Sequence, residues 1–211
     1  RVLEDLTEGR KFRSYGSGNS MMVVMDFPGE AAEHFYYAKV YAKGNKCWVP
    51  DGAFVYSEHN EAFYRRLQEL DRENSDNRPR FRRGEIEAIG EFLDGVIPGG
   101  YDQYDVSADN ELGIIICPKT HAAYNLYADE LTIPVGGIIS VESMDDVLRG
   151  FEHITRNRGS EDYLSVGFFG SQTDFDRFRA AVPSEAYHFN ESLKVDLMKA
   201  HQGSYFMLDS S

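Results

Sequence analysis

The chain has 211 residues, 42% hydrophobic and 27% charged, which is enough apolar material for a packed core without disulfide or metal staples. Its formal charge of -13 disfavours nucleic acid and anionic membrane as partners, because like charges repel. No apolar run approaches the ~20 residues of a membrane-crossing helix and no secretory leader is visible, so a cytoplasmic protein is expected.

In chain order, Arg10–Ser20 is basic and Gly/Ser-rich and reads as a loop. Met21–Phe27 is a short apolar strand closed by Pro28-Gly29. His34–Ala42 and Lys46–Tyr56 are aromatic and β-branched, and Lys43-Gly44-Asn45 between them predicts a β-hairpin. Pro50 lacks a backbone donor, which predicts an edge or interrupted second arm. Phe63, Leu67 and Leu70 recur at i, i+4, i+7 and predict a helix over 61–73, capped by Ser57 or Asn60. Asn74–Gly84, polar and rich in arginine, is the one candidate boundary in an otherwise single domain, with a neutral part at 1–77 and an acidic part at 85–211.

A second helix is expected over Glu85–Leu93. Strands follow at Leu112–Cys117, Ala122–Tyr127 and Leu131–Val141. Ser143 caps a helix reaching about Ile154, with Asp145 and Asp146 in its positive first turn. Tyr163–Phe169 reads as a strand and Thr173–Val182 as a capped helix. Glu191–His201 reads as a last helix capped by Asn190, and Tyr205–Leu208 as a final strand. Without a regular βαβ alternation, the expectation is an α+β fold with a mixed or antiparallel central sheet flanked by capped helices.

No motif names a reaction. Cys47-Trp48 resembles the nucleophile segment of papain-like peptidases, with His121 as base and Asn125 or Asp129 to orient its imidazole. Strand-forming neighbours instead favour a packed thiol at Cys47. Two cysteines, Cys47 and Cys117, build no disulfide framework and favour a reducing compartment. The histidine spacing matches no metal site, no phosphate-binding glycine loop follows a strand, and no cofactor is expected. Arg78, Arg80, Arg82 and Arg83 around Phe81 offer single-stranded RNA a contact, although a solvated linker explains them as well.

Charge is unevenly divided. Residues 1–85 carry 14 basic and 14 acidic side chains, and residues 86–211 carry 8 and 21. Between Glu87 and Glu130 nine carboxylates face one cation, Lys119. This predicts a face for a basic protein partner built on Tyr101, Asp102, Tyr104, Asp105, Asp109, Glu111, Tyr127, Asp129 and Glu130. Oligomeric state is not legible.

Residues 85–151 add a resemblance. The helix ending in Ile97-Pro98-Gly99-Gly100-Tyr101, the strands at ELGIIICPKTHAAYNLYADE, and the start of a late helix from Ser140 to Phe151 resemble the SUKH superfamily. That superfamily spans toxin-immunity proteins and viral host-defence antagonists. The resemblance implies a non-enzymatic domain that binds and neutralises another protein, with no catalytic residues to carry over.

Overall fold

A computed structural model describes residues 19–41, 49–76, 83–96, 101–104, 114–118, 135–158 and 163–191. Strand β1 is Ser20–Val24. It leads into helix α1, Pro28–Phe35, which continues as a π-helical turn, Tyr36–Tyr41. Strand β2 is Pro50–Tyr56, and a 3-10 turn at Ser57–His59 leads into α2, Asn60–Glu73. Next come α3 (Arg83–Val96), β3 (Tyr101–Tyr104), β4 (Ile114–Pro118) and β5 (Val135–Val141). The described chain closes with α4 (Met144–Arg158), β6 (Tyr163–Phe169), α5 (Gln172–Ala181) and β7 (Ser184–Phe189).

The strands form one sheet in the order β3-β4-β5-β2-β1-β6-β7. Every neighbouring pair from β4 to β7 is parallel, and β3 alone runs antiparallel at the edge. The expected α+β fold with a mixed or antiparallel centre is therefore corrected to α/β. Strand and helix alternate from β1 to α2 and again from β5 to β7, with α3, β3 and β4 between. The sheet draws strands from both sides of residues 74–84.

The predicted hairpin is the other correction. His34–Tyr41 is helical, and β2 returns parallel to β1, with Val23 opposite Phe54. Pro28 opens α1 instead of ending a turn, because a proline at the first helical position gives up a donor that has no intrahelical acceptor. Ala31, Ala32, Phe35 and Tyr36 then recur on one helical face and are fully buried. Pro50 lies in a central strand, tolerated as the strand's first residue.

Two apolar layers cover the sheet. Met22, Val24, Ala53, Val55 and Phe169 pack with Ala31, Ala32 and Phe35 of α1 and Phe63, Leu67 and Leu70 of α2. Met21, Val23, Phe54, Ile139, Val166 and Phe168 pack with Val147, Phe151 and Ile154 of α4 and Phe175 and Phe178 of α5. Phe151 centres the second layer, with Phe54, Tyr163 and Phe178 rings 5.0, 4.8 and 5.0 Å away. Gly150 is what allows α4 so close, since a Cβ there would lie 2.3 Å from Phe54 Cε1.

Candidate functional site

The two ends of the parallel strands differ in chemistry. At the end where β1 and β2 begin, Asn19, Ser20, Lys39, Asp51 and Ser165 are all at most 1% exposed. Ser20 sits in register with Pro50 on one side and Ser165 on the other. The β1–β2 register then slips, so that Met21 faces Gly52 and Asp51 is the extra residue. Lys39, in the π-helical turn, places Nζ 3.4 Å from Asp51 Oδ1, with side-chain exposures of 1% and 2%. Single-turn π-helical stretches recur at functional sites.

At the opposite end lies the point where strand order reverses. The chain leaves β1 for β2 on one side, and later crosses from β5 to β6 on the other. Helix α1 follows β1 onto one layer and α5 follows β6 onto the other. In open parallel sheets ligands bind over the strand ends at such a crevice. Met25 and Asp26 both donate their N–H groups to the Phe169 carbonyl, at 2.8 and 3.2 Å. Phe27 caps α1 from the left-handed region, φ 53°, and is 44% exposed. Gly170 donates N–H to Asn190 Oδ1 at 2.9 Å, and its carbonyl accepts from Asn190 Nδ2 at 3.1 Å. Asn190 is a left-handed residue, φ 49°, whose side chain clamps the β6 end, and the helix that it is expected to cap lies outside the described residues.

Caps at this end are tight. Ser143 Oγ accepts the Asp146 N–H at 3.2 Å and donates to Asp146 Oδ2 at 2.8 Å. With the Arg149 guanidinium and the Glu142 N–H adding to it, that hydroxyl holds the Asp146 carboxyl below its ordinary value. The expected Ser143 cap is present. Helix α2 starts without a side-chain cap, from His59 in place of Ser57 or Asn60. An open groove of about 490 Å³ between α4 and α5 has a charged rim already paired, Asp145 with Arg177 and Glu152 with Arg156.

Of the residues singled out in the sequence, Tyr101, Asp102 and Tyr104 lie on β3, opposite Pro118, Cys117 and Ile115. Asp105, Asp109, Glu111, His121, Asn125, Tyr127, Asp129, Glu130, Cys47 and Arg78–Arg82 lie outside the described residues, and Arg83 opens α3. The expected strands at Ala122–Tyr127 and Tyr205–Leu208 and the helix from Glu191 also fall outside them, beyond Glu191 itself. The sequence reading overlooked Lys39 and Asp51. A lone lysine inside the apolar run YYAKVY was the available signal, since a lysine is almost never fully buried unless paired.

No family model matches the chain, and no curated protein matches it. Solved structures do. An oxidoreductase from Marinobacter aquaeolei superposes with a TM-score of 0.64 at 14% identity, over 88% of this chain and 40% of that one. An aldehyde dehydrogenase from Physcomitrella patens, in complex with the reaction product succinate, gives 0.64 at 14%, over 87% and 40%. An NADP-dependent glyceraldehyde-3-phosphate dehydrogenase from Bacillus halodurans gives 0.63 at 15%, over 93% and 43%.

The fold is aldehyde-dehydrogenase-like. The chain spans about two fifths of the length of these three structures. This overturns the SUKH resemblance and with it the immunity or antagonist reading. The rival readings, a papain-like hydrolase using Cys47, His121 and Asn125 and single-stranded RNA binding through Arg78–Arg83, give way to the same match.

The fold brings a nicotinamide dinucleotide into question, and the described residues do not fit its diphosphate at the switch point. Helix starts that hold phosphate offer free N–H groups and no negative charge. Here Glu30 and Asp174 occupy those first turns, Asp26 Oδ1 takes the Phe27 N–H at 2.8 Å, and Ser171 Oγ takes that of Asp174 at 3.1 Å. A Cβ at Gly29 would meet nothing within 4 Å, so that glycine makes no cradle for a close ligand. Among the described residues no three metal-ligand side chains gather, and no helix is long and apolar enough to cross a membrane.

Proposed function

We propose that the chain is the aldehyde-binding, thiol-bearing portion of an NAD(P)-dependent dehydrogenase, with Cys47 as its nucleophile. The superposition on such enzymes over most of this chain and two fifths of theirs carries the reading. The carboxylate-lined switch point supports assigning the dinucleotide to residues other than those described. Of the two thiols, Cys117 belongs to β4, where its backbone faces Asp102. Cys47 falls in sequence between the π-helical turn and β2. Its thiolate would add to the aldehyde carbon, forming the C–S bond while the carbonyl π pair moves to oxygen and takes up a proton. A cytoplasmic location, where such a thiol stays reduced, belongs to the same proposal. A basic protein surface is the partner we propose for the acid-rich stretch 87–130.

Alkylation tests the reading. Iodoacetamide at pH 7 should modify Cys47 at least about tenfold faster than a free thiol of pKa about 8.5. A millimolar small aldehyde should slow Cys47 and leave Cys117 unaffected. A Cys47 rate equal to that of a free thiol and indifferent to aldehyde overturns the proposal.

A further inference from the structure

The outward face of α4 carries an ordered row of charge. Asp145, Arg149, Glu152 and Arg156 recur at i, i+4, i+7 and i+11, and so share one side of the helix. That side is opposite the buried stripe of Val147, Phe151 and Ile154, and the four side chains are 60, 63, 60 and 73% exposed. Each has a partner in its own chain: Asp145 has Arg177, Arg149 has Asp146, and Glu152 has Arg156. Exposed pairs of this kind contribute little, so exchanging one partner for another costs little. Beside the row runs the groove of about 490 Å³, apolar at Leu148, Ala181, Val182 and Pro183.

Spacing and sign make the row self-complementary. Its steps of four, three and four residues read the same from either end, while its order of signs, minus, plus, minus, plus, is inverted on reversal. A two-fold axis crossing α4 between Gly150 and Phe151 therefore sets Asp145 against Arg156 of the partner subunit and Arg149 against Glu152 of the partner subunit, each contact occurring twice. We infer that α4 is the contact face of a homodimer, packed antiparallel on the α4 of a second copy, with Leu148 and the groove covered by that second helix. The row is balanced in charge, so it selects neither a strongly basic nor a strongly acidic partner, and a helix of the same sequence supplies the matching order of signs. Two copies at -13 repel at a distance, but at about 0.15 M salt that field is screened beyond about 8 Å, and close pairs remain. The inference stands apart from the reading of Cys47.

Sedimentation equilibrium of the whole chain at about 0.15 M salt tests this. The parent should dimerise below about 100 μM. Arg149→Glu and Glu152→Arg, each alone, set like charges face to face twice across the axis and should weaken association at least about tenfold. An equimolar mixture of the two variants should regain association, because each altered position then meets its opposite charge, and so should the double variant R149E/E152R. An effect within a single helix is not reversed by mixing. Urea midpoints are read for every sample, and should either variant fail to fold, Asp145→Arg and Arg156→Asp, mixed in the same way, replace them. A parent that stays monomeric at about 100 μM overturns the inference. A folded single reversal that dimerises like the parent, or a mixture that stays monomeric, overturns it equally.

Discussion

The two ends of the parallel sheet handle charge in opposite ways. Where β1 and β2 begin, Lys39 and Asp51 are buried against each other with Asn19, Ser20 and Ser165 around the same end. Where β1, β5 and β6 finish, charge is solvated: the Asp26 side chain is 60% exposed, with His59 Nε2 at 4.0 Å. Serine hydroxyls cap α4 and α5 there. One end spends stability to hold a geometry, and the other gains it cheaply from local hydrogen bonds.

Breaking the buried pair one side at a time should give the largest effect. Lys39→Ala leaves Asp51 charged and desolvated, and should cost about 3–5 kcal/mol in urea unfolding. A loss under about 1 kcal/mol would mean that water reaches this end and that the contrast between the two ends is false.

At the other end the cap on α4 is the sharper probe. Ser143→Ala should cost about 1 kcal/mol near neutral pH. The sign of its pH dependence follows from Asp146, whose folded carboxyl lies below its ordinary 3.8, chiefly through the Ser143 hydroxyl. That contribution is present above the unfolded value and is lost as pH falls through the folded one. The gap between parent and variant should therefore shrink below about pH 4. A gap that widens on acidification would contradict the assignment of Asp146 as the partner of Ser143.

The smallest effect should come from Asp26→Ala. Its solvated carboxylate makes a local bond to the Phe27 N–H and stands far from any buried charge, so the change should stay within about 0.5 kcal/mol. A cost comparable with that of Lys39→Ala would erase the distinction between buried and solvated charge.

Legibility in the sequence followed how local each signal is. Tyr163–Phe169 is a strand over the expected residues, because a largely apolar segment suits a position covered on both faces. Helix α2 was visible in the i, i+4, i+7 spacing of Phe63, Leu67 and Leu70, and all three are buried. The α1 region was misread because HFYYAKVY has the aromatic and β-branched content of a strand. Packing against Phe169 and Phe63 overrides that preference, with His34 stacked at 5.4 Å on Phe169 and Phe35 edge-on at 5.8 Å to Phe63. With His34–Ala42 taken as a strand, it became the first arm of a hairpin with β2, and the parallel crossover from β1 to β2 could not be read. Strand β7 was missed for a similar reason, since Ser184–Phe189 follows Pro183 and carries too little apolar content to stand out. For the candidate site, Cys47 was noticed as a thiol, whereas the Lys39–Asp51 pair exists only after folding brings two distant side chains together.

The sheet order also has a temporal side. β1 is flanked by β2 and by β6, and Ser20 meets Ser165 only after about 145 more residues have been made. At translation rates of roughly 5–20 residues per second, the apolar segment Met21–Val24 stays one-sided for about 7–30 s. Non-local parallel pairing of this kind is slow to form and leaves a sticky edge meanwhile. Both edges of β1 are therefore satisfied only late in synthesis, when its second neighbour becomes available.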